Sequence, residues 1–210
     1  MYKNITGIIL SGGKSSRMGE NKSLMKLGNR TVIEHTLSLM QSIFSEVILI
    51  TNTPDEYQFL NIPLFEDIYR YRGPLAGIHS GLLNSKTEDN FIISCDIPLI
   101  KREIIEYIIE YNTHHPITVC RADGYIQQLA GKYSKSLLPQ IDELLKMEKE
   151  EMRDSNQKKQ KSSVHSLMKL SGAEIVEAGK LDFYNDGIFL NMNRKEDYQQ
   201  ILSKFNLLPK

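Results

Sequence analysis

The chain has 210 residues, and its 26 lysines and arginines balance 26 aspartates and glutamates, so that the formal net charge at pH 7 is zero. This length allows one domain with a substantial core, and the balanced charge argues against a nonspecific nucleic-acid binder, which needs a basic field. No apolar segment is long enough for a membrane span, and the short polar start predicts no cleaved signal peptide.

Apolar runs typical of buried strands alternate with helical patterns along the chain. Strands are predicted at 6–10, 46–51, 91–94, 117–121 and 129–133, with candidate edge strands at 174–177 and 186–190. Apolar residues recur at roughly helical spacing from Leu24 to Met40, and helices are predicted at 31–42, 76–83, 101–111, 137–147 and 195–205. The alternation predicts a single-domain α/β fold with helices on both faces of a mostly parallel sheet.

The segment 146–163 differs in composition from the rest of the chain. It is rich in Lys, Glu, Gln and Asn and has almost no apolar residues to bury. We expect an exposed or mobile insertion here, within one domain that spans residues 1–210. The alternative is a lid over a second substrate.

The most specific feature is the glycine-rich segment 10–22, LSGGKSSRMGENK, which follows the first predicted strand. Loops at the carboxyl ends of strands in open α/β sheets are where such folds place ligands. Gly12 and Gly13 allow a close backbone approach, and free N–H groups in such a loop can point at phosphate oxygens. Three cations follow within nine residues, namely Lys14, Arg17 and Lys22. The segment therefore predicts a phosphate-binding loop, the alternative being a solvated loop with incidental charge.

Two common phosphate motifs do not fit this loop. A P-loop requires Gly, four residues and then Gly-Lys-Ser. Gly13 and Lys14 supply the second half, but Ile8 stands where the first glycine belongs, and Gly7 comes one residue too early. The dinucleotide fingerprint GxGxxG is also absent. The loop is therefore predicted to be neither a Walker NTPase loop nor a Rossmann NAD site.

Asp96 follows the predicted strand 91–94, and Pro98 stops that strand from continuing. A carboxylate at this point would lie on the same rim of the sheet as the glycine-rich loop. Mg²⁺ commonly takes one or two carboxylates together with substrate phosphates and waters, so Asp96 is a candidate metal ligand. The alternative is that Asp96 caps the helix that begins near Lys101.

Asp67 follows a short apolar run and precedes a tyrosine-rich segment. Alone, it is typical of a surface turn. The nearby segment GPLAG, residues 73–77, is predicted to form a rigid turn into a helix that begins with small residues. Small residues there would let a nucleoside or the first loop approach closely; the alternative is tight packing of the helix on the sheet.

Four segments carry a resemblance to a known family: LSGGKSSRMG with Lys22 three residues on, then FED at 65–67, GPLAG at 73–77 and CDIP at 95–98. The chain resembles the nucleotidyltransferases that activate cofactors and sugars, and is most similar to molybdenum cofactor guanylyltransferases. The resemblance implies a three-layer α/β/α Rossmann-like sandwich of the nucleotide-diphospho-sugar transferase type. It also implies transfer of GMP from GTP to molybdopterin, with Mg²⁺ as cofactor and release of pyrophosphate.

The resemblance implies roles for individual residues. Arg17, Lys22 and Asp96 would be catalytic, and Asp96 would also bind the metal. The nucleotide-binding set would be Leu10, Ser11, Gly12, Gly13, Lys22, Asp67 and Asp96. Asn191 and Asn193 would bind the acceptor.

The chain departs from the family pattern at three places. Ser11 stands where the family has Ala, and Gln127-Gln128-Leu129 stands where it carries a Pro-Leu pair. The late Asn-x-Asn-Thr-Pro segment keeps both asparagines but has Arg194 and Lys195 in place of Thr-Pro. The motifs that would bind the donor nucleotide are therefore intact. The motif that would bind the acceptor matches the family less specifically, because Asn193 could instead cap the helix that begins at Lys195.

The sequence is also consistent with other functions. A cytidylyltransferase acting on molybdopterin or on an isoprenoid-precursor alcohol phosphate would share most of these residues, and sugar-phosphate nucleotidyltransferases are usually longer chains. A nucleotide-sensing module without turnover is the alternative outside the enzymes. Cys95 and Cys120 show no metal spacing, and we expect both to be reduced, as in a cytoplasmic protein. The expected partners are GTP and molybdopterin, with no nucleic acid or membrane. We expect a monomer or weak homo-oligomer with transient contacts to other cofactor-biosynthesis proteins.

Overall fold

The computed structural model describes residues 1–12, 21–151 and 163–206. Most of the predicted phosphate loop, including Gly13, Lys14 and Arg17, lies outside the described residues. So does the greater part of the predicted insertion, residues 152–162, whose character stays a prediction. Within the described ranges, no helix combines the length and the apolar character needed to cross a membrane.

A seven-stranded sheet forms the centre of the molecule. Its strands are Tyr2–Leu10 (β1), Phe44–Ile50 (β4), Leu64–Phe65 (β5), Asp89–Ser94 (β6), Ile117–Ala122 (β7), Tyr125–Ser134 (β8) and Glu174–Glu177 (β9). They are arranged in the order β5-β4-β1-β6-β8-β7-β9, and Lys26–Leu27 (β2) and Arg30–Thr31 (β3) form a separate hairpin. β1 pairs in parallel with β4 and β6, β4 with β5, and β7 with β9. Among the described strands of this sheet, only β8 runs antiparallel, to β6 and to β7. The mostly parallel sheet is therefore confirmed.

Helices cover both faces of this sheet. They are Val32–Ile43 (α1), Pro74–Asn84 (α2), Arg102–Glu110 (α3), Leu138–Glu151 (α4), Val164–Ser171 (α5) and Lys195–Asn206 (α6). Adjacent residues of β1 point to opposite faces, as a pleated strand requires: Ile9 packs in the core with α1 and α3, and Ile8 packs with α2, α4 and α5. The fold is thus the predicted three-layer α/β/α sandwich.

The first helix begins later than the apolar spacing from Leu24 suggests. Thr31 caps α1 through a capping box with Glu34, which fixes the helix start at Val32. Leu24 ends a short 3₁₀ turn, and Leu27 lies in the hairpin β2–β3, which turns through Gly28 at φ +62°. Leu27 packs in a small separate core with Val32, whereas Leu24 packs against the core with α1 and α3, so their helical spacing is coincidental.

The candidate edge strand at 186–190 is wrong. This segment forms consecutive turns, with Gly187 at φ +85° and a hydrogen bond from the Ile188 N–H to the Asn185 carbonyl at 3.2 Å. Ile188 and Phe189 are buried in the core with α1 and α3. Their apolar character therefore comes from core packing and not from strand pairing. The other candidate edge strand, 174–177, is confirmed as β9.

Candidate active site

The carboxyl ends of the central parallel strands meet on one rim of the sheet. Leu10 at the end of β1 lies in register with Ile50 of β4 on one side and Ser94 of β6 on the other. The alignment continues past the strands, because the Ser11 N–H donates to the Ile50 carbonyl at 2.9 Å and the Cys95 N–H donates to the Leu10 carbonyl at 3.1 Å. The loops that follow β1, β4 and β6 therefore leave the sheet side by side, where open α/β sheets place ligands.

The loop after β1 begins at buried residues. Leu10 and Ser11 are buried, and Gly12 is exposed. A Cβ added at Gly12 would meet no described atom within 4 Å. Gly13, from the predicted nucleotide-binding set, and Arg17, from the predicted catalytic set, lie outside the described residues.

Asp67 is half-buried, and its carboxylate is hydrogen-bonded to Asn52, so it is not a freely solvated turn residue. The Asn52 side chain donates from Nδ2 to Asp67 Oδ2 at 2.8 Å, and the Asp67 N–H donates back to Asn52 Oδ1 at 3.3 Å. Burial raises the pKa of Asp67 above its usual value, and the hydrogen bond from Asn52 partly offsets this. Sequence reasoning missed Asn52, since a single asparagine after a strand gives no signal of a partner fifteen residues away.

Gly77 of α2 lies beside two of the predicted site residues. A Cβ at this position would come within 3.4 Å of Leu10 Cδ2 and 3.7 Å of Asp67 Oδ1. Oδ1 is the carboxylate oxygen that Asn52 does not contact. The two interpretations of the small helix start therefore combine: Gly77 permits tight packing on β1 and also keeps one oxygen of Asp67 uncovered on that side.

Asp96 lies at the turn after β6, and its carboxylate has an oxygen in need of a partner. Oδ1 is buried and has no hydrogen-bond partner among the described residues. The N-cap of α3 is Lys101, so the alternative that Asp96 caps this helix is wrong. An orphaned carboxylate oxygen suits a hard cation. The described residues contain no cluster of three or more acidic, histidine or cysteine side chains, so Asp96 would hold such an ion together with ligands from substrate and water.

Lys22, which is predicted to bind the nucleotide, contacts Asn193, which is predicted to bind the acceptor. Its Nζ donates to the Asn193 carbonyl at 2.9 Å and lies 3.4 Å from Asn193 Oδ1. The neighbouring Met192 N–H donates to the Asp96 carbonyl at 2.8 Å. The segment 191–193 is thus joined to the rim at two points, by contacts that connect residues far apart in the sequence.

Asp197, in the first turn of α6, binds the backbone that immediately precedes the helix. Asp197 Oδ2 accepts hydrogen bonds from the N–H groups of Asn193, at 2.9 Å, and Arg194, at 2.7 Å. The Asn193 side chain instead faces Lys22. Asn191 donates from Nδ2 to the Phe189 carbonyl at 3.2 Å, which stabilises the turn that leads into this segment.

Both cysteines are free thiols, as predicted. Cys120 is fully buried in β7, and Cys95 is part-buried beside Ser11, with Sγ 3.5 Å from Ser11 Oγ. Burial raises the pKa of each thiol to about 12. Neither group is therefore a nucleophile at neutral pH.

A mostly parallel sheet with an acidic side chain at the end of one central strand, and a glycine-rich sequence after its neighbour, is typical of α/β proteins that bind a ligand at the carboxyl ends of their strands. Comparison with known families makes this specific. The family model described as MobA-like NTP transferase domain matches residues 7–161. The chain belongs to this family.

Relatives match the chain over nearly its whole length. A protein of Carboxydothermus hydrogenoformans named "Probable molybdenum cofactor guanylyltransferase" is 36% identical over 207 residues, which cover 98% of each chain. A crystal structure of a protein from Aquifex aeolicus VF5 has a TM-score of 0.74 at 30% identity and covers 92% of this chain and 95% of that one. The structure of molybdopterin-guanine dinucleotide biosynthesis protein A from Archaeoglobus fulgidus has the same fold, with a TM-score of 0.79 at 16% identity over 97% of this chain and 100% of that one.

Proposed function

We propose that this nucleotidyltransferase transfers GMP from GTP to molybdopterin and releases pyrophosphate. The observation that carries the proposal is the 36% identity to the Carboxydothermus hydrogenoformans relative over 98% of both chains. Hydrogen bonds at the rim connect Lys22 and Asp96 to the segment 191–193, which supports the proposal. The reaction would take place in the cytoplasm, by a chain that acts alone or as a weak homo-oligomer with transient contacts to other cofactor-biosynthesis proteins.

The donor nucleotide would bind along the loop after β1. Backbone groups from Leu10 to Gly12, and Gly13 beyond them, would contact the nucleotide, and Arg17 would grip its phosphates bidentately. Asp67 would accept hydrogen bonds from the N1 and N2 donors of guanine or from ribose hydroxyls. Its hydrogen bond with Asn52 would hold the carboxylate in place for that purpose.

Charge at the reacting phosphates would be managed by Asp96 and Lys22. Asp96 would hold Mg²⁺, which supplies positive charge at the phosphate oxygens when bound. Lys22 and Arg17 would neutralise the charge that develops on the α-phosphate and the leaving pyrophosphate. The buried Oδ1 of Asp96, without a described hydrogen-bond partner, fits this role.

The acceptor would enter from the side of Asn191 and Asn193. The terminal phosphate of molybdopterin attacks the α-phosphorus of GTP in line, the bond from that phosphorus to the bridging oxygen breaks, and pyrophosphate leaves with the electron pair. A phosphate is already a nucleophile once its charge is managed, so positioning and electrostatics supply most of the catalysis. Lys22 contacts Asn193 and would therefore lie between the two substrates.

Two substitutions test these roles. We expect Asp96→Ala and Lys22→Ala each to lower the rate of pyrophosphate release with GTP, Mg²⁺ and molybdopterin by about 10²-fold or more, because each removes a group that stabilises transition-state charge. Asp55→Ala and Lys26→Ala, which remove exposed residues of the same types, are matched controls and should stay near the wild-type rate. A folded Asp96→Ala or Lys22→Ala variant with near wild-type turnover would show that its assigned role is wrong.

Thermal shifts test the base preference on the same preparations. GTP with Mg²⁺ should raise the melting temperature of the wild type more than CTP with Mg²⁺ does, because a ligand stabilises the folded state according to its affinity. A larger shift with CTP would favour the cytidylyltransferase alternative.

A further inference from the structure

The Tyr57 hydroxyl is the centre of a buried hydrogen-bond network beside the rim. Tyr57 lies in the 3₁₀ segment Pro54–Leu60 and is 1% exposed. Its hydroxyl oxygen is 2.7 Å from Ser11 Oγ, 2.7 Å from Ser23 Oγ and 2.8 Å from Asn21 Nδ2. A phenol has one donor and two acceptor sites, so three partners match its full hydrogen-bonding capacity.

These three partners lie at the two ends of the glycine-rich segment 10–22. Ser11 immediately follows β1 at the start of the segment, whereas Asn21, near its end, and Ser23, just after it, flank Lys22. Asn21 Oδ1 also accepts from the Ser23 N–H at 3.2 Å and from the Ser23 hydroxyl at 2.8 Å. One buried hydroxyl thus joins the two ends of the segment and fixes the backbone on either side of Lys22.

Core packing alone does not require this hydroxyl. A phenylalanine would fill the same volume, and burying polar groups costs free energy unless every one of them is hydrogen-bonded. The link from Tyr57 to the end of β1 depends on the Ser11 hydroxyl. The network instead suits a part of the fold whose geometry must be accurate.

We propose that Tyr57 is a positioning residue for nucleotide binding and transfer. It does not touch the substrate; its hydroxyl holds the two ends of the glycine-rich segment together and so sets the position of Lys22 Nζ. This inference rests on the proposed function for the role of Lys22. A displacement of about 1 Å at a reacting centre can cost about 10²-fold in rate, so losing this one hydroxyl has a functional effect larger than its effect on stability.

The test compares Tyr57→Phe with Tyr133→Phe. Tyr133 is equally buried, and its hydroxyl hydrogen-bonds to the Gln128 carbonyl in the core with α2, α4 and α5. The readouts are the dissociation constant of GTP with Mg²⁺ by calorimetry and kcat/KM for pyrophosphate release. We expect Tyr57→Phe to weaken GTP binding about fivefold and to lower kcat/KM at least tenfold, with Tyr133→Phe within about twofold of wild type on both. Equal effects of the two substitutions would overturn the proposal.

A double substitution separates positioning from loss of structure. If Tyr57 acts through Lys22, adding Tyr57→Phe to Lys22→Ala should lower kcat less than threefold, because the group that it positions is already absent. A full additional loss in that background would contradict the proposal. Ser23→Ala removes one hydroxyl partner and leaves Tyr57 in place, so it supplies the same comparison should Tyr57→Phe not fold.

The two proposals can fail separately. A wild-type protein that binds GTP but forms no product with molybdopterin would contradict the proposed acceptor. The GTP affinities of the Tyr57→Phe and Tyr133→Phe variants would still decide the role of Tyr57.

Discussion

At the residue scale, Asp67 is expected to bind the nucleotide, and the burial of its carboxylate lowers the stability of the fold at neutral pH. Burial raises the pKa of its carboxyl group, so the folded state binds this proton more readily than the unfolded chain does. Between the ordinary pKa of an aspartate and the raised value, the stability contributed by this group falls as the pH rises. At neutral pH the ionised carboxylate therefore costs free energy, as is common at sites that serve binding.

Asp67→Asn tests this balance. The asparagine oxygen can still accept from Asn52, whereas the charge is gone, so we expect a melting temperature at pH 7 equal to or above that of the wild type. GTP affinity should fall about tenfold, because hydrogen bonds to a charged acceptor are the stronger ones. The measurements are thermal denaturation and calorimetric binding of GTP, with Asp55→Asn as the exposed control.

The acid limb of GTP binding provides a second check on Asp67. Wild-type affinity should decline as the pH falls through the pKa of this carboxyl, which burial raises above the ordinary value of an aspartate. Asp67→Asn should lack that part of the decline. An Asp67→Asn variant with wild-type affinity and an unchanged acid limb would show that Asp67 does not contact the nucleotide.

At the element scale, helix α2 carries two glycines with different neighbours. A Cβ at Gly81 would lie 2.7 Å from Ile8 Cγ2 in the fully buried centre of the sheet, whereas the atom nearest to a Cβ at Gly77 is Leu10 Cδ2, at 3.4 Å. The first glycine is required by the packing of α2 on β1. The second leaves room for a methyl group, so its absence of a side chain is not explained by packing alone.

Alanine substitutions should therefore separate stability from function. Gly81→Ala should destabilise the fold by about 1–3 kcal/mol through overpacking. Gly77→Ala should keep the stability or raise it by up to about 1 kcal/mol, since alanine favours a helix, yet it should weaken GTP binding because its methyl group covers Asp67 Oδ1. Chemical denaturation and GTP calorimetry are the measurements. A Gly77→Ala variant that binds GTP as the wild type does would contradict the location of the nucleotide beside Asp67.

The sequence predicted elements best where the local signal and the packing agreed. The buried runs of β1, β4 and β6 are continuous because both faces of a parallel sheet are covered, and Thr31 with Glu34 fixes the start of α1. The segment 186–190 was predicted wrongly because a short apolar run is the same whether it pairs in a sheet or packs as a turn. Gly187 was the available signal for the turn.

At the scale of the whole molecule, the rim could be predicted from the sequence, whereas the contacts across it could not. Asp96 follows a buried strand, so its place at the carboxyl end of the sheet follows from topology. The contacts of Lys22 with Asn193 and of Tyr57 with Ser11 connect residues 171 and 46 positions apart. Such contacts depend on how helices and turns pack against one another, which no local pattern in the sequence records.

The whole chain brings these parts together for one reaction. The seven-stranded sheet aligns the loops after β1, β4 and β6, and the segment 191–193 is joined to them from the far end of the chain through Lys22 and Asp96. We therefore propose that both substrates meet on this rim and that the donor base is guanine.

The most direct measurement is mass spectrometry of the product formed by the wild-type protein from GTP, Mg²⁺ and molybdate-loaded molybdopterin. We expect an acceptor heavier by one GMP group, with one pyrophosphate released for each product molecule and little product when CTP replaces GTP. A CMP adduct formed in preference, or an unmodified acceptor in the presence of protein that binds GTP, would contradict the proposal.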